Sequence, residues 1–246
     1  GRTPKDISVI HPLKGGVIAD IAITEQLLEI FIQKLHLNAF FQKPDILICT
    51  PTNVTTVEQK AIIQAAIKCG GHSIYLEEEP KVAAVGVGLD IFSPSGNMIV
   101  DIGGGTTDVA TISLGGIVNS QSIRIGGDEL NEAIVLHVRK KYNLLIGERT
   151  AEDLKIQLGS ASVEKSSAYG SMQVRGRDMV SGLPRIIEVE AVEIAEAMSE
   201  IITQIIDAVR DVLEQTPPEI ASDVIDHGIV LTGGGSLFRN LAEVIS

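Results

Sequence analysis

The amino-acid sequence predicts an α/β fold of two lobes with a nucleotide-binding cleft between them. Short apolar strands alternate with amphipathic helices along the chain, as they do in α/β proteins. Three glycine turns, at positions 103–105, 126–127 and 233–235, each follow a strand-like run. Glycine tolerates positive φ and has no side chain, so the backbone N–H groups of such turns can close on an anion. Three turns of this kind in one chain predict a split nucleotide site.

Strands and helices are expected to alternate in the N-terminal part. One helix is predicted over 25–35, capped by Thr24, with an apolar stripe facing the core. Thr55 and Glu58 have the spacing of a capping box and predict a second helix. Pro80 fits the first position of a third helix. The strands between these helices are expected at 7–10, 17–22, 46–49 and 74–76, with a loop over 37–44.

The stretch 98–114 is the centre of the prediction. Its glycines lie between two apolar, β-branched runs, and Asp101 ends the first run. A Rossmann turn or a P-loop would continue into a helix, and a P-loop would add a lysine, but residues 106–114 alternate as a strand does. The stretch therefore predicts a β-hairpin whose tip clamps a phosphate, with Asp101 facing a bound metal and the attacking water. A glycine-rich hairpin taken alone could equally be an ordinary turn.

Two further glycine clusters support a nucleotide site. Residues 228–231 form an apolar strand, the cluster 232–236 follows, and 237–245 has the apolar spacing of a helix. The cluster 125–128 lies between a strand and a helix expected over 131–142. The order of strand, glycines and helix places a helix N-terminus where a nucleotide can bind.

The remaining C-terminal elements are predicted from periodicity and composition. A strand pair is expected over 116–125, and a helix starts near Ala151. The segment 160–184 is polar and contains glycine and serine, which predicts a small β-rich insertion. Over 194–212, apolar residues recur on one face of a long helix that Pro217 closes.

Composition narrows the function classes. The 246 residues are 44% hydrophobic and 21% charged, which is typical of a globular protein. No apolar run approaches the roughly 20 residues of a membrane-spanning helix. The net charge of −12 argues against nucleic acid as a partner. Two separate cysteines predict reduced thiols in the cytoplasm, and five scattered histidines disfavour a zinc site.

The glycine motifs resemble those of the actin superfamily. Residues 101–108 are similar to its second phosphate motif, and residues 231–237 are similar to its adenosine motif. Within the superfamily, the chain resembles the MreB family of bacterial actins over essentially all 246 residues. Chaperone ATPases and sugar kinases share only the glycine turns with it. The stretches outside the nucleotide site that carry the resemblance are 15–20, 53–58, 120–127 and 213–219.

The resemblance implies an actin-like two-lobed fold and an ATP-dependent cytoskeletal filament that supports cell shape. Domain I would span 1–94, without its N-terminal strands, and domain II would span 95–246, with a small subdomain near 142–188. The family's N-terminal phosphate loop would precede Gly1, and its final strand and helix would follow Ser246, so we expect the sequence to be part of a longer molecule. A monomeric ATPase or kinase of the same superfamily, of the chaperone type, is the alternative. A nucleotide-binding scaffold that hardly hydrolyses is a third possibility.

ATP or ADP and Mg²⁺ are the cofactors that the resemblance implies. Asp101 would hold the hydration shell of Mg²⁺, while Glu79 and Thr106 would position the attacking water. Glu79 starts a Glu-Pro-x-x-Ala-Ala pattern that resembles the family's first interdomain connection, whereas Glu77 and Glu78 are expected to form a solvated face. The nucleotide would contact the glycine turns and their neighbours, namely Gly103, Gly104, Gly105, Thr106, Thr107, Gly126, Gly127, Asp128, Gly233, Gly234, Gly235 and Ser236.

Glu152 and Lys155 are three residues apart and share one face of a predicted helix. They form either a surface ion pair or, as the resemblance implies, the groups that hold the ribose hydroxyls of the nucleotide.

Self-association and membrane contact are the expected partner interactions. Subunits would join head to tail in a homopolymer. Val57 falls outside the core face of its helix, and the resemblance implies that this region pairs protofilaments, although a single exposed valine usually has no role. The loop containing Ala39, Phe40 and Phe41 carries two adjacent aromatic rings. The resemblance implies that this loop inserts into the inner face of the cell membrane, and the alternative is that the rings pack into the core.

Overall fold

The computed structural model describes residues 10, 12–15, 17–18, 20–34 and 44–246. The N-terminal part contains β1 (Leu13–Lys14), β2 (Val17–Ile18), α1 (Ile21–Lys34), β3 (Ile46–Thr50), α2 (Thr56–Lys68), β4 (Ile74–Glu78) and α3 (Glu79–Gly86). The C-terminal part contains β5 (Asn97–Ile102), β6 (Thr107–Ser113), β7 (Gly116–Ile123), α4 (Gly127–Tyr142), β8 (Leu144–Leu145), α5 (Glu148–Leu158), α6 (Val163–Ser166), β9 (Ser171–Asp178), β10 (Pro184–Glu190), α7 (Ala191–Gln215), α8 (Pro218–His227), β11 (Ile229–Thr232) and α9 (Leu241–Ile245). Within the described residues, no helix is both long enough and apolar enough to cross a bilayer.

Strands β3 and β4 form a parallel pair, in which Ile46 lies opposite Ile74 and Thr50 opposite Glu78. Because parallel strands end at the same edge, the loop after β3 and the start of α3 lie side by side. Helix α2 begins with the predicted capping box. The Glu58 N–H donates to Thr55 Oγ1 at 3.3 Å, and the Thr55 N–H donates to Glu58 Oε2 at 2.8 Å.

The predicted start of the first helix is wrong. Helix α1 begins at Ile21 rather than near residue 25, and the cap is Asp20, whose Oδ1 accepts the N–H of Ile23 at 3.1 Å. Thr24 lies inside the helix, where its hydroxyl donates to the Asp20 carbonyl at 2.7 Å. Aspartate caps helices as well as threonine does, so the earlier residue took the role. Phe31, assigned to the core stripe, is 54% exposed.

The central sheet has the order β11-β5-β6-β7, with β11 parallel to β5 and the other pairs antiparallel. The predicted hairpin is present as β5 and β6. Both faces of the hairpin are covered, because Val100 and Val109 pack in the main core with α7 while Ile99 and Ala110 pack with Ala84 of α3. The strand pair expected over 116–125 is a single strand, β7.

The long helix α7 connects the two sheets of the C-terminal part. Its 25 residues span about 37 Å and pack on β6 and β7 at one end and on β10 at the other. Strands β8, β9 and β10 form a separate three-stranded sheet, which confirms the β-rich character expected after residue 160. The helix expected over 237–245 is interrupted: residues 234–237 form a 3₁₀ turn and α9 starts only at Leu241.

A buried carboxylate joins α7 to α4. The side chain of Glu193 is 6% exposed, and it accepts hydrogen bonds from His137 Nε2 at 2.9 Å, Lys141 Nζ at 2.8 Å and Tyr142 Oη at 2.7 Å. The backbone N–H of Glu190 also donates to it at 2.7 Å. Burial alone would raise the pKa of Glu193, but these donors lower it to about 2.

Replacing Glu193 by glutamine is expected to reduce the free energy of unfolding by about 2–3 kcal/mol at pH 7, because glutamine carries no charge to pair with these donors. The pKa of Glu193 is lower in the folded state than in the unfolded chain. The contribution is therefore complete above about pH 4.5 and is lost as the pH falls toward 2. Urea unfolding at a series of pH values measures this contribution.

The free-energy difference between the natural protein and Glu193→Gln should shrink steadily between pH 5 and pH 3. Glu196, an exposed residue on the same helix, provides the control. Glu196→Gln should change the free energy of unfolding by less than about 0.5 kcal/mol. A difference for Glu193→Gln that does not vary with pH would contradict the ionic role.

Candidate nucleotide site

The three glycine turns meet at the end of β5. In the hairpin tip, the Gly103 N–H donates to the Thr106 carbonyl at 2.9 Å. The first amides of α4 then donate to the tip: the Gly127 N–H to the Gly103 carbonyl at 3.0 Å, and the Asp128 N–H to the Gly104 carbonyl at 2.8 Å. The N-terminus of α4 therefore braces the hairpin tip from one side.

Close backbone approach requires glycine at two points of this meeting. A Cβ on Gly126 would lie 2.6 Å from the Gly104 carbonyl oxygen and 2.7 Å from that of Gly103. On the other side, Gly233 has φ +76°, and a Cβ there would lie 2.3 Å from the carbonyl oxygen of Ile102. The three turns therefore lie together as predicted, and backbone contacts between them fix their positions.

The three turns were all predicted to contact phosphate, but they differ in how many free amides they offer. Since the amides of Gly127 and Asp128 donate to hairpin carbonyls, they are already occupied. The amides of Gly104, Gly105 and Thr106 have no acceptor in the part of the chain that the structure describes. Free amides at a tight glycine turn are the groups that bind phosphate oxygens. The hairpin tip therefore has the anion-binding capacity, and the α4 turn supports it.

A cavity of about 520 Å³ opens beside the tip, a volume in the range of small-molecule sites. Eight of the predicted nucleotide-binding residues line it: Gly103, Gly104, Gly127, Asp128, Glu152, Lys155, Gly234 and Gly235. Six do not: Gly105, Thr106, Thr107, Gly126, Gly233 and Ser236.

Two of the six residues outside the cavity have hydroxyl groups that are engaged elsewhere. Thr107 is fully buried and its hydroxyl donates to the Ile125 carbonyl at 2.7 Å. The Ser236 hydroxyl donates to the Gly233 carbonyl at 2.7 Å. Both hydroxyls stabilise the turns that surround the cavity and are not directed into it.

Sequence reasoning missed an apolar wall of the cavity. Ile156 is 62% exposed and Leu237 is 86% exposed, and both line the cavity. Exposed apolar side chains beside a concave surface suit a flat heterocyclic base. The isoleucine on the polar side of α5 and the leucine directly after the third glycine cluster (232–236) were the available signals. The missed lining residues are Leu130, Ile156, Gly159, Leu237, Phe238 and Arg239.

Glu152 and Lys155 do form an ion pair, at 2.8 Å, but it lies in the cavity wall. The Lys155 side chain is only 12% exposed, and its Nζ also donates to the Gly127 carbonyl at 3.0 Å. The amide of Asn131 donates to Glu152 at 2.7 Å. Burial raises the pKa of Glu152, but the bonds from Lys155 and Asn131 outweigh it and leave the pKa below its usual value. The pair is therefore fixed and ionised at the cavity edge.

A polar row crosses the central sheet next to the hairpin tip. Thr232 lies opposite Asp101, Asp101 opposite Asp108, and Asp108 opposite Ser122. Residues directly opposite one another share a face of the sheet. The hydroxyl oxygens of Thr232 and Ser122 are buried, and that of Thr232 lacks a hydrogen-bond partner among the described residues. Two carboxylates and two buried hydroxyls thus lie side by side.

Glu79 faces this polar row. Alternation along β5 puts Asp101 on the same face as Ile99, which packs on α3, and Glu79 is the first residue of α3. Burial raises the pKa of Glu79 to about 7, and the negative charges of Asp108 and Asp101 add to the rise. Burial likewise raises the pKa of Asp108, although the Thr52 N–H, which donates to Asp108 Oδ1 at 3.2 Å, opposes it.

The described residues include only one of the two predicted surface contacts. Val57 lies in the first turn of α2 and is 78% exposed, as expected from its position outside the core face. Ala39, Phe40 and Phe41 lie outside the described residues.

Three comparisons with known proteins bear on this site. The family described as MreB/Mbl protein matches residues 1–246. The cell shape-determining protein Mbl of Bacillus subtilis is 54% identical over 246 residues, which are 100% of this chain and 73% of the relative. MreB 5 of Spiroplasma citri, solved bound to AMPPNP, is 40% identical, with a TM-score of 0.90 over 98% of this chain and 72% of that chain. The MamK double helical filament, 21% identical, has a TM-score of 0.78 over 96% of this chain and 71% of that chain. These similarities confirm the predicted actin-like α/β fold.

The adjacent residues Gly234 and Gly235 provide a matched test of the cavity. A Cβ on Gly235 would lie 2.2 Å from Ile102 Cγ2, whereas a Cβ on Gly234 meets nothing within 4 Å. Gly235→Ala should push the turn away from β5 and weaken ATP binding at least ~10-fold, about 1.4 kcal/mol. Gly234→Ala should stay within about twofold of the natural protein because its amide is kept.

Binding of a fluorescent ATP analogue to the whole protein measures both affinities, and circular dichroism melting verifies that each variant folds. Equal affinities for the two variants would show that the packing of this turn on β5 does not shape the site.

Proposed function

Since the chain belongs to the MreB/Mbl family, we propose that it is an ATP-dependent, actin-like cytoskeletal protein that forms membrane-associated filaments for cell shape and hydrolyses ATP. The family match and the relatives named for cell shape determination establish a bacterial actin-like protein. The observation that carries the nucleotide part of the proposal is the meeting of three glycine turns beside a cavity of nucleotide size.

ATP would lie with its phosphates at the hairpin tip and its adenosine in the cavity. The free amides of Gly104 and Gly105 suit the phosphate oxygens. The apolar side chain of Ile156 suits the base, and Glu152 and Lys155 are placed at the cavity edge where ribose hydroxyls would be reached. The relative from Spiroplasma citri bound to AMPPNP supports a nucleotide at this kind of site.

Asp101, in the polar row, suits a magnesium ion bound together with ATP. No group of three or more histidine, cysteine or acidic side chains among the described residues could hold a metal alone. Mg²⁺ usually keeps several waters and binds through one or two carboxylates plus phosphates. Asp101 supplies such a carboxylate, and the buried hydroxyls of Thr232 and Ser122 are suited to hydrogen-bond waters. Bound there, the ion would neutralise charge developing on the phosphates.

Hydrolysis would proceed by in-line attack of water, for which the protein mainly supplies position and electrostatics. Glu79, which lies near Asp101 and Asp108, would orient the water by accepting its hydrogen bond. Thr106, at the hairpin tip, would hold the water from the opposite side, and Asp101 would hold the metal's hydration shell.

We keep the proposed division into domain I over 1–94 and domain II over 95–246, with a small subdomain near 142–188. The β3–β4 pair and the four-stranded sheet are separate sheets, and β8, β9 and β10 form a third, which is compatible with this division. The cleft with Glu79 on one side and the polar row on the other would then lie between the domains.

Filaments would form by head-to-tail contact, a heterologous interface that repeats without closing. Exposed Val57, near the start of α2, would contribute to the pairing of two protofilaments. The loop with Phe40 and Phe41 would attach the filament to the inner face of the membrane. Because a filament would carry many copies of this loop, its attachment to the membrane would be strong even if each loop binds weakly.

Hydrolysis is tested first by three substitutions in the whole protein. Glu79→Ala and Thr106→Ala should bind ATP nearly normally but release phosphate at least ~10-fold more slowly, a cost of about 1.4 kcal/mol, because they lose only water positioning. Asp101→Ala should also weaken Mg²⁺-dependent binding. Glu78→Ala, one residue before the proposed catalytic glutamate, is the control and should leave the rate within about twofold. If Glu79→Ala releases phosphate at the rate of the unsubstituted protein, Glu79 does not position the water.

Protofilament pairing is tested by Val57→Glu. The charge should leave the fold and ATP binding intact and should yield single rather than paired filaments, because a carboxylate cannot be buried cheaply in a lateral contact. Ile67 is also exposed on α2, at 53%, and Ile67→Glu is the matched control, for which doublets are expected. Electron micrographs that show doublets for Val57→Glu would refute the lateral contact.

Membrane attachment is tested by the double change Phe40→Ser/Phe41→Ser. Burying two phenylalanine side chains would contribute on the order of 3–6 kcal/mol before ordering costs, so the filament should lose most of its binding to anionic liposomes. Co-sedimentation is measured for polymerised and monomeric protein. Phe92 lies outside this loop and is 74% exposed. The control variant Phe92→Ser should therefore co-sediment with liposomes to the same extent as the unsubstituted protein. Binding that survives the double change would place the two rings in the core.

A further inference from the structure

Asp108 lies in the middle of the polar row and contacts the loop that follows β3. It is 1% exposed, and its Oδ1 accepts the backbone N–H of Thr52 at 3.2 Å. Thr52 belongs to the loop between β3 and α2, whereas Asp108 belongs to β6 of the central sheet. The hydrogen bond therefore joins the β3–β4 pair directly to the phosphate hairpin.

The loop that receives this bond is itself a short, defined turn. The Val54 N–H donates to the Pro51 carbonyl at 3.4 Å, which makes Thr52 the second residue of the turn. A second contact to the central sheet, from Asn53 Nδ2 to the Ser122 carbonyl, is longer at 3.5 Å. Of these two contacts across the cleft, the one to Asp108 is the shorter.

A shift of this loop would reach Glu79 through the β3–β4 ladder. Thr50 pairs with Glu78 in parallel register, so Thr52 lies two residues beyond the pair and Glu79 one residue beyond it. Hydrogen-bonded neighbouring strands stay about 4.8 Å apart, and therefore the ends of β3 and β4 move together. Fixing the Thr52 N–H thus adds to the direct packing of α3 on β5 and β6 in setting the position of Glu79 relative to the hairpin tip.

We infer that Asp108 is a positioning residue for hydrolysis: by accepting the Thr52 N–H, it holds the loop after β3, and through it Glu79, at the correct distance from the phosphate hairpin. This inference rests on the proposed ATPase function. Asp108 acts through its hydrogen bond rather than by contact with the nucleotide.

Two substitutions of Asp108 separate the hydrogen bond from the charge. Asp108→Asn keeps a side-chain oxygen that can accept the Thr52 N–H, whereas Asp108→Ala removes the acceptor. In the whole protein, Asp108→Ala should lower kcat at least ~10-fold with ATP affinity within about threefold, and Asp108→Asn should keep kcat within about threefold. An asparagine variant that loses as much activity as the alanine variant would overturn the inference.

The bond can also be removed from its donor side. Thr52→Pro deletes the N–H at the second position of a turn, which proline favours, and Thr52→Val keeps the N–H and removes only the hydroxyl. Thr52→Pro should reproduce the loss in kcat of Asp108→Ala, and Thr52→Val should match the natural protein. Combined with Asp108→Ala, the proline change should add less than about twofold, since both delete one interaction. If the losses in kcat of the two single variants multiply in the double variant, the inference is overturned.

Residue-resolved hydrogen–deuterium exchange of the Thr52 amide gives a readout that needs no ATPase activity. The amide should exchange at least ~10-fold faster in Asp108→Ala than in the natural protein and in Asp108→Asn. Unchanged exchange in Asp108→Ala would refute the tether even if hydrolysis is impaired. A natural protein that does not hydrolyse ATP would instead refute the proposed function and leave the tether measurable.

Discussion

Backbone contact at the end of β5 is the constraint on which the site depends. A side chain on Gly126 would meet the hairpin carbonyls, and one on Gly233 would meet the carbonyl of Ile102. The three turns, from distant parts of the chain, can therefore meet only with glycine at positions 126 and 233. The first amides of α4 donate to the hairpin carbonyls, while the amides of Gly104 and Gly105 at the tip have no acceptor among the described residues and are free for an anion.

The packing of α3 on the central sheet sets the electrostatics around Glu79. Helix α3 covers the face of the sheet that carries Ile99, and alternation brings Asp101 and Asp108 to that face beside Glu79. Burial raises the pKa of Glu79 to about 7, and repulsion by the negative charges of Asp108 and Asp101 adds to the rise. In the proposed site, Asp101 alone of these carboxylates would hold the hydration shell of a cation that also contacts the phosphates.

Local patterns allowed much of the fold and part of the site to be predicted. The hairpin, the capping box at Thr55 and the long helix α7 depend on neighbouring residues, and each is present. The predicted start of α1 was wrong because Asp20 and Thr24 are both good helix caps, and the sequence does not show which of them is used. The polar row and the apolar wall of the cavity could not be predicted in full, since both depend on tertiary contacts between distant segments. The row brings together Thr232 and Ser122, which come from separate strands.

In the proposed site, phosphates bind the amides of the hairpin tip and the α4 turn only supports the tip. Residue-resolved amide exchange of the whole protein, with and without AMPPNP and Mg²⁺, tests this directly. We expect strong new protection at Gly104, Gly105 and Thr106, and little change at Gly127 and Asp128, whose amides already donate to the hairpin. Protection that appears at the α4 turn and not at the hairpin tip would contradict it.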